Sequence, residues 1–504
     1  MSTDNYVEPI LAALATDPDR VVSRQDGGET FTRGEFAVLI YRFARVFAEH
    51  GVRPGATVTL LSPNRAEVLA ARYAAGLLGA RVVSLYEGIA AATQAVIVSD
   101  VDTDLLVADP ALSATVTEIL ATAPVKAVLG FGPGSPGADL LALAEAAAST
   151  VLEPYPVSPD DIFSIRHTGG TTGHPKGIVL PFRSPLALVD FARSVSPESG
   201  KVQLVFTPLG HMAGSIVDAV FVSGGELVLR QGFDAAAVLA AVERYRVTDL
   251  LVLPPHLYAL MDHPAVDKHD LSSLRQIGYG GCPASPGRLA EAVDRFGPVL
   301  LQVYGATEAG GIAFLGPEEH ARPELLATVG KPHPATTIAI RDPEGRDLPA
   351  GEPGEICVRS PLGGLGYWRD PEATARVWRD GWVHTGDVGF FDEEGYLHLA
   401  GRIKDIIIVV GGHVYPVELE EVLLGHPAVG AVAVYGVADA DRTERVHAAI
   451  VPKPGQTAEL GELREFVTER LGAMYAPHEV HVVEEIPLTD AGKPDLKLLR
   501  AKAG

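Results

Sequence analysis

Residues 164–177 read Ser164-Ile165-Arg166-His167-Thr168-Gly169-Gly170-Thr171-Thr172-Gly173-His174-Pro175-Lys176-Gly177. Glycines at this density let a backbone wrap closely round a polyanion with its N–H groups exposed. The hydroxyls of Thr168, Thr171 and Thr172 and the Lys176 ammonium add further donors. The chemistry this predicts is phosphate binding. It is not a Walker A loop, which needs glycine before the lysine and Ser or Thr after it; Pro175 and Gly177 occupy those places. Nor does Gly278-Tyr279-Gly280-Gly281-Cys282-Pro283 complete a dinucleotide fingerprint, because Pro283 stands where the third glycine belongs. Other chemistry-bearing residues stand in short glycine-containing motifs further on: Glu308, Asp387, Arg402 and Lys493. Cys282 has no His/Asn signature for thiol catalysis, and reads as a small apolar residue.

The elements that must hold these residues follow from periodicity. The phosphate loop lies between the apolar runs Ile162-Phe163 and Ile178-Val179-Leu180. Over residues 1–320, strand-like runs such as Val58–Leu61 and Arg81–Leu85 alternate with helical patterns such as Ala66–Leu78, which predicts βαβ units and largely parallel sheets covered on both faces. From about Gly330 short strands separated by Gly, Pro and Asp predict a small antiparallel unit. The last hundred residues predict a separate α+β unit, with a strand over Asp405–Val410 and a helix from Pro416 to near Gly425. The expected class is α/β plus α+β. A large domain covers 1–402, with a β-rich part at about 325–402, and a small mobile domain covers 403–504.

A length of 504 residues is too great for one ordinary core. A formal charge of −23 spread along the chain argues against broad binding to nucleic acid or anionic membrane, so an anionic substrate needs a local site of cations or N–H groups. Two cysteines exclude a disulfide framework and a four-thiolate zinc site. The first twenty residues lack the basic and apolar regions of a secretory signal, and no apolar run reaches membrane-spanning length. A cytoplasmic protein without membrane insertion is expected.

At the phosphate loop the sequence resembles the ANL superfamily of acyl-CoA synthetases, peptide-synthetase adenylation domains and luciferases, whose loop reads Thr-Ser-Gly-Thr-Thr-Gly-x-Pro-Lys-Gly. Residues 168–177 match except that Gly169 replaces serine. Tyr304-Gly305-Ala306-Thr307-Glu308, Gly381–Asp387, Gly401–Asp405 and Pro487–Lys493 resemble the family's further motifs in the same order. The resemblance implies that a carboxylate attacks the α-phosphate of ATP, pyrophosphate leaves, and a thiol then displaces AMP from the acyl-adenylate. The implied substrates are ATP, a small carboxylic acid, and CoA or a carrier-protein thiol.

By that resemblance Thr168, Gly169, Gly170, Thr171, Thr172, Gly173 and Lys176 hold phosphate. Thr172 and Glu308 lie near Mg2+; Gly281, Cys282, Pro283, Tyr304, Gly305 and Thr307 border the nucleotide. Asp387 accepts from the ribose and Arg402 supports ribose or α-phosphate. Lys493 bridges α-phosphate and carboxylate in adenylation alone, and Lys404 marks the hinge. His211, Gly280, Ala306 and Gly311 are expected at the acyl pocket, where the small size of Gly210, Gly280, Gly305 and Gly311 admits a bulky acid. The sequence departs from its relatives at Arg166-His167, Gly169 and the glycine-rich Gly363–Gly366. Three rival readings remain: loading of a separate carrier protein, a diazotase-like reaction of nitrite with an aryl amine, and a non-catalytic nucleotide-binding scaffold.

Overall fold

The computed structural model describes residues 5–85, 89–168, 175–195, 200–403, 405–409, 412–438, 444–457, 459–489 and 493–503. Among them, two large sheets dominate the first three hundred residues. One runs in the order Gly366–Tyr367, Lys176–Pro181, Ile162–Thr168, Arg81–Leu85, Thr57–Leu61, Leu105–Ala108, Ala127–Gly130, Ala138–Asp139. Its interior pairs are parallel, and the two strands after Ile162–Thr168 are antiparallel additions at the edge. The other is centred on the parallel strands Glu226–Leu229, Val202–Val205, Asp249–Val252, Gln276–Gly280 and Leu300–Ala306, and it too has antiparallel additions at one end, Gly310–Leu315 and then Lys331–Pro332.

Helices cover these sheets, as apolar strands buried on both faces require. The helix Ala66–Leu77 is buried at every position, which its Ala-rich and nearly uncharged sequence permits. Its Arg72 is neutralised by Asp218 of the helix Met212–Val222, at 2.9 and 2.5 Å, while the Tyr73 hydroxyl donates to the same carboxylate at 2.6 Å. This ion pair links a helix of one sheet to a helix of the other in the largest apolar cluster.

The antiparallel unit expected after Gly330 consists of Thr337–Arg341, Gly354–Arg359, Trp378–Arg379, Trp382–Phe391 and Leu397–Arg402. Beyond it, the helix Pro416–Leu424 has proline in its first turn and Gly425 at its C-terminal cap, and packs against Leu397–Arg402. The last sheet pairs Val429–Ala438 antiparallel with Glu444–Pro452, and that strand parallel with Glu479–Val482. No helix among the described residues is long and apolar enough to cross a membrane.

Candidate active site

The glycine-rich segment is flanked by two paired antiparallel strands, Ile162–Thr168 and Lys176–Pro181. Thr168 pairs with Lys176, and His167 with Gly177, across antiparallel strands. A strand follows the loop where a Walker A loop is followed by a helix, a second reason to separate the two. Gly169, Gly170, Thr171, Thr172 and Gly173 lie outside the described residues, as does Lys404, and Thr168 is described in its backbone only. Lys176, at the base of the loop, holds its ammonium 5.2 Å from the centre of the Tyr367 ring.

Tyr367 also reaches Glu308. Its hydroxyl donates to Glu308 Oε1 at 2.9 Å. The strand Gly366–Tyr367 is an edge addition, pairing with Val179 and Ile178; Trp368 N–H donates to the Gly177 carbonyl at 2.7 Å and Gly364 N–H to the Glu308 carbonyl at 2.9 Å. The unusual run of glycines before it has a steric cause. A Cβ at Gly363 would stand 2.7 Å from the Glu308 carbonyl oxygen, and one at Gly364 2.9 Å from Ile178 Cγ2. Burial and the Glu308 charge raise the Tyr367 pKa, so the phenol stays a donor. Sequence reasoning did not select Tyr367; the glycines ahead of a Gly-Tyr-Trp were its signal.

Asp387 forms a second centre. It is 6% exposed and sits opposite Arg402 in the pairing of Trp382–Phe391 with Leu397–Arg402. Tyr304 O–H donates to Asp387 Oδ2 at 2.7 Å and Arg402 Nε to Oδ1 at 2.8 Å. Thr385, whose hydroxyl donates to the Ile356 carbonyl at 2.8 Å, accepts the Asp387 N–H at 3.0 Å. Burial and the adjacent Asp387 charge keep the Tyr304 phenol protonated. A carboxylate with one exposed guanidinium partner and one buried phenol is fixed in orientation, and each of its oxygens keeps capacity for a further donor such as a ribose hydroxyl.

Residues 281–283 follow directly on the strand Gln276–Gly280. Gly281 has φ +85°, a conformation that favours glycine. Burial pushes the Cys282 thiol up to about 11, and the positive charge of Lys493 acts on it in the opposite direction. Lys493 is exposed, and its backbone carbonyl accepts the Thr489 N–H at 2.7 Å. A protonated, half-buried thiol is no nucleophile at neutral pH. His211 is half-buried, and desolvation together with the Arg166 guanidinium lowers its pKa to about 4.

The glycines call for one correction. A Cβ at Gly280 would lie 2.2 Å from the Val303 carbonyl oxygen, and one at Gly305 2.6 Å from that of Gly310. Glycine is required there by the neighbouring backbone, so neither position argues for a bulky acid. Gly305 and Ala306 pair with Gly311 and Gly310 in the hairpin that carries Thr307 and Glu308 across its turn. The described residues thus unite Glu308 and Tyr367 with Lys176, and Asp387 with Tyr304 and Arg402.

Comparison with known proteins bears on this arrangement. The AMP-binding enzyme family matches residues 11–368, and its C-terminal domain matches 418–493. The chain belongs to the AMP-binding enzyme family. As a member it is an adenylate-forming, AMP-forming ligase, which activates an acid with ATP. It is 34% identical to a medium/long-chain-fatty-acid–CoA ligase of Mycobacterium tuberculosis, over 94% of this chain and 86% of that one. It is also 34% identical to a feruloyl-CoA synthase of Amycolatopsis, over 93% of each. Among solved family structures, the amide bond synthetase McbA from Marinactinospora thermotolerans superposes with a TM-score of 0.93 at 38% identity, covering 99% of both chains. The family fold, a large α/β domain and a small C-terminal domain, is the one expected from the sequence.

Proposed function

We propose that the protein converts an aryl or acyl carboxylic acid and ATP to an acyl-adenylate and pyrophosphate, and then passes the acyl group to the thiol of CoA. The observation that supports this most is the buried Asp387 carboxylate, oriented by Tyr304 and Arg402 with capacity left for ribose hydroxyls. Joining two anions is slow chiefly because of charge and orientation. Lys493 and the N–H groups of the 168–177 loop would neutralise phosphate and carboxylate, while Asp387 and Arg402 hold the ribose. On this reading Gly281, Pro283 and Tyr304 border adenine and Lys404 is the pivot between domains 1–402 and 403–504.

Glu308 fits Mg2+. Tyr367 occupies one carboxylate oxygen, leaving the other for a hard cation that prefers few protein ligands, phosphate oxygens and water; Thr172 would add a hydroxyl. Bound there, Mg2+ would neutralise the departing pyrophosphate. The enzyme is read as cytoplasmic.

A second acceptor is favoured by one comparison: the likeness to an amide bond synthetase over 99% of both chains supports capture of the adenylate by an amine. A single assay separates the two. The protein is incubated with ATP, Mg2+ and a panel of acids, pyrophosphate is measured, and CoA or an amine is added. A CoA-dependent thioester supports the first reading and an amide formed without CoA the second. Release of pyrophosphate only with nitrite and an aryl amine, or with no substrate at all, would overturn both.

A further inference from the structure

A second cluster of ligating side chains lies in the C-terminal domain, outside the nucleotide cleft's machinery. Glu479 and His481, two apart on the strand Glu479–Val482, project from the same face, and His447 lies opposite Glu479 on the neighbouring parallel strand. Their ligand atoms converge. His447 Nδ1 is 3.0 Å from His481 Nε2 and 3.9 Å from Glu479 Oε2, and His481 Nε2 is 3.7 Å from the same oxygen. Atoms bound at about 2.0–2.2 Å around one tetrahedral zinc stand roughly 3.3–3.6 Å apart, so these separations bracket the edges of a coordination shell.

The surroundings suit such a shell. The two imidazoles stack, with centroids 5.3 Å apart, and the buried Tyr435 ring lies 5.9 Å from one and 6.3 Å from the other, restricting both. His447 is nearly buried, whereas His481 and Glu479 are accessible, which leaves an entry path and room for water. Arg445 stands at the rim with its Nη1 2.8 Å from His478 Nε2, and so lies beside the triad rather than in it. An equally tight group, Glu355, Cys357 and His384, differs here: the Arg379 guanidinium stands 2.6 Å from His384 Nδ1, the atom a metal would need.

We propose that His447, Glu479 and His481 form a binding site for a divalent transition-metal ion of the zinc class, two imidazoles and one carboxylate completed by water. Such a set suits Zn2+, Ni2+ or Cu2+ rather than Mg2+. The site pins Glu479–Val482 to its neighbour, and the chain runs from there towards Lys493.

The test is calorimetric titration of tag-free, chelator-stripped full-length protein with Zn2+ alone, alongside His481→Ala and Glu479→Gln. Both variants alter accessible side chains, and circular dichroism checks their folding. Expected is one saturable equivalent in the wild type, weakened at least about tenfold in each variant. No saturable binding in the wild type, or variants within tenfold of it, would overturn the site. The titration needs neither acid nor ATP, so its outcome is independent of the acceptor assay.

Discussion

Tyr367 does at residue scale what no single motif announces: it lies against Lys176 below the phosphate loop and donates to the carboxylate proposed to hold the metal. A hydrogen bond to a charged group contributes on the order of 1.5–3 kcal/mol. Tyr367→Phe is therefore expected to lower the adenylation rate roughly tenfold or more and to raise the Mg2+ concentration needed for half-maximal rate. Steady-state pyrophosphate release over a Mg2+ series measures both, and an unchanged Mg2+ requirement would separate Tyr367 from the metal site. His167 makes a different prediction. It is buried, and among the described residues neither ring nitrogen has a hydrogen-bond partner; burial lowers its pKa from 6.5 to about 4. Below pH 6.5 the unfolded chain binds a proton that the folded chain refuses, so stability falls as pH drops from 6.5 towards 4, by on the order of 3 kcal/mol for this group. Denaturant melts of His167→Phe across that range should show a shallower acid loss than the wild type. The sequence displayed the Arg166-His167 oddity but not its burial, which depends on Gly177 and the neighbouring sheet.

At the scale of elements, the two large sheets are joined by the buried Arg72–Asp218 pair between helices Ala66–Leu77 and Met212–Val222. Removing one partner leaves an uncompensated buried charge, which costs about 3–5 kcal/mol. Arg72→Ala should lose that much in chemical denaturation, and Arg72→Ala with Asp218→Ala should recover part of it; a single variant as stable as wild type would contradict the account. The strands and helices themselves were legible because apolar runs and glycine punctuation are local. Val58–Leu61, Arg81–Leu85 and the helix opened by Pro416 all stand close to where periodicity puts them. The edge strand Gly366–Tyr367 was not legible, because its partner is Lys176–Pro181, nearly two hundred residues earlier. The reason for glycine at 280 and 305 was hidden in the same way: their size answers to Val303 and Gly310, strand neighbours that composition cannot reveal.

For the molecule as a whole, the sequence motifs name the residues of the small domain, but not how that domain docks on the large one. That depends on how the helix Pro416–Leu424 packs on Leu397–Arg402, a docking with no local signature. On the proposed reading, Lys493 brings a cation from the small domain to the large domain's site for the first half-reaction alone. The most direct measurement takes Lys493→Ala through both half-reactions separately: pyrophosphate release from acid and ATP, and acyl transfer from supplied acyl-adenylate. The account predicts adenylation slowed by roughly 100-fold or more, the scale of losing a charge-stabilising donor, with transfer close to wild type. Equal loss in both halves, or adenylation at the wild-type rate, would contradict it.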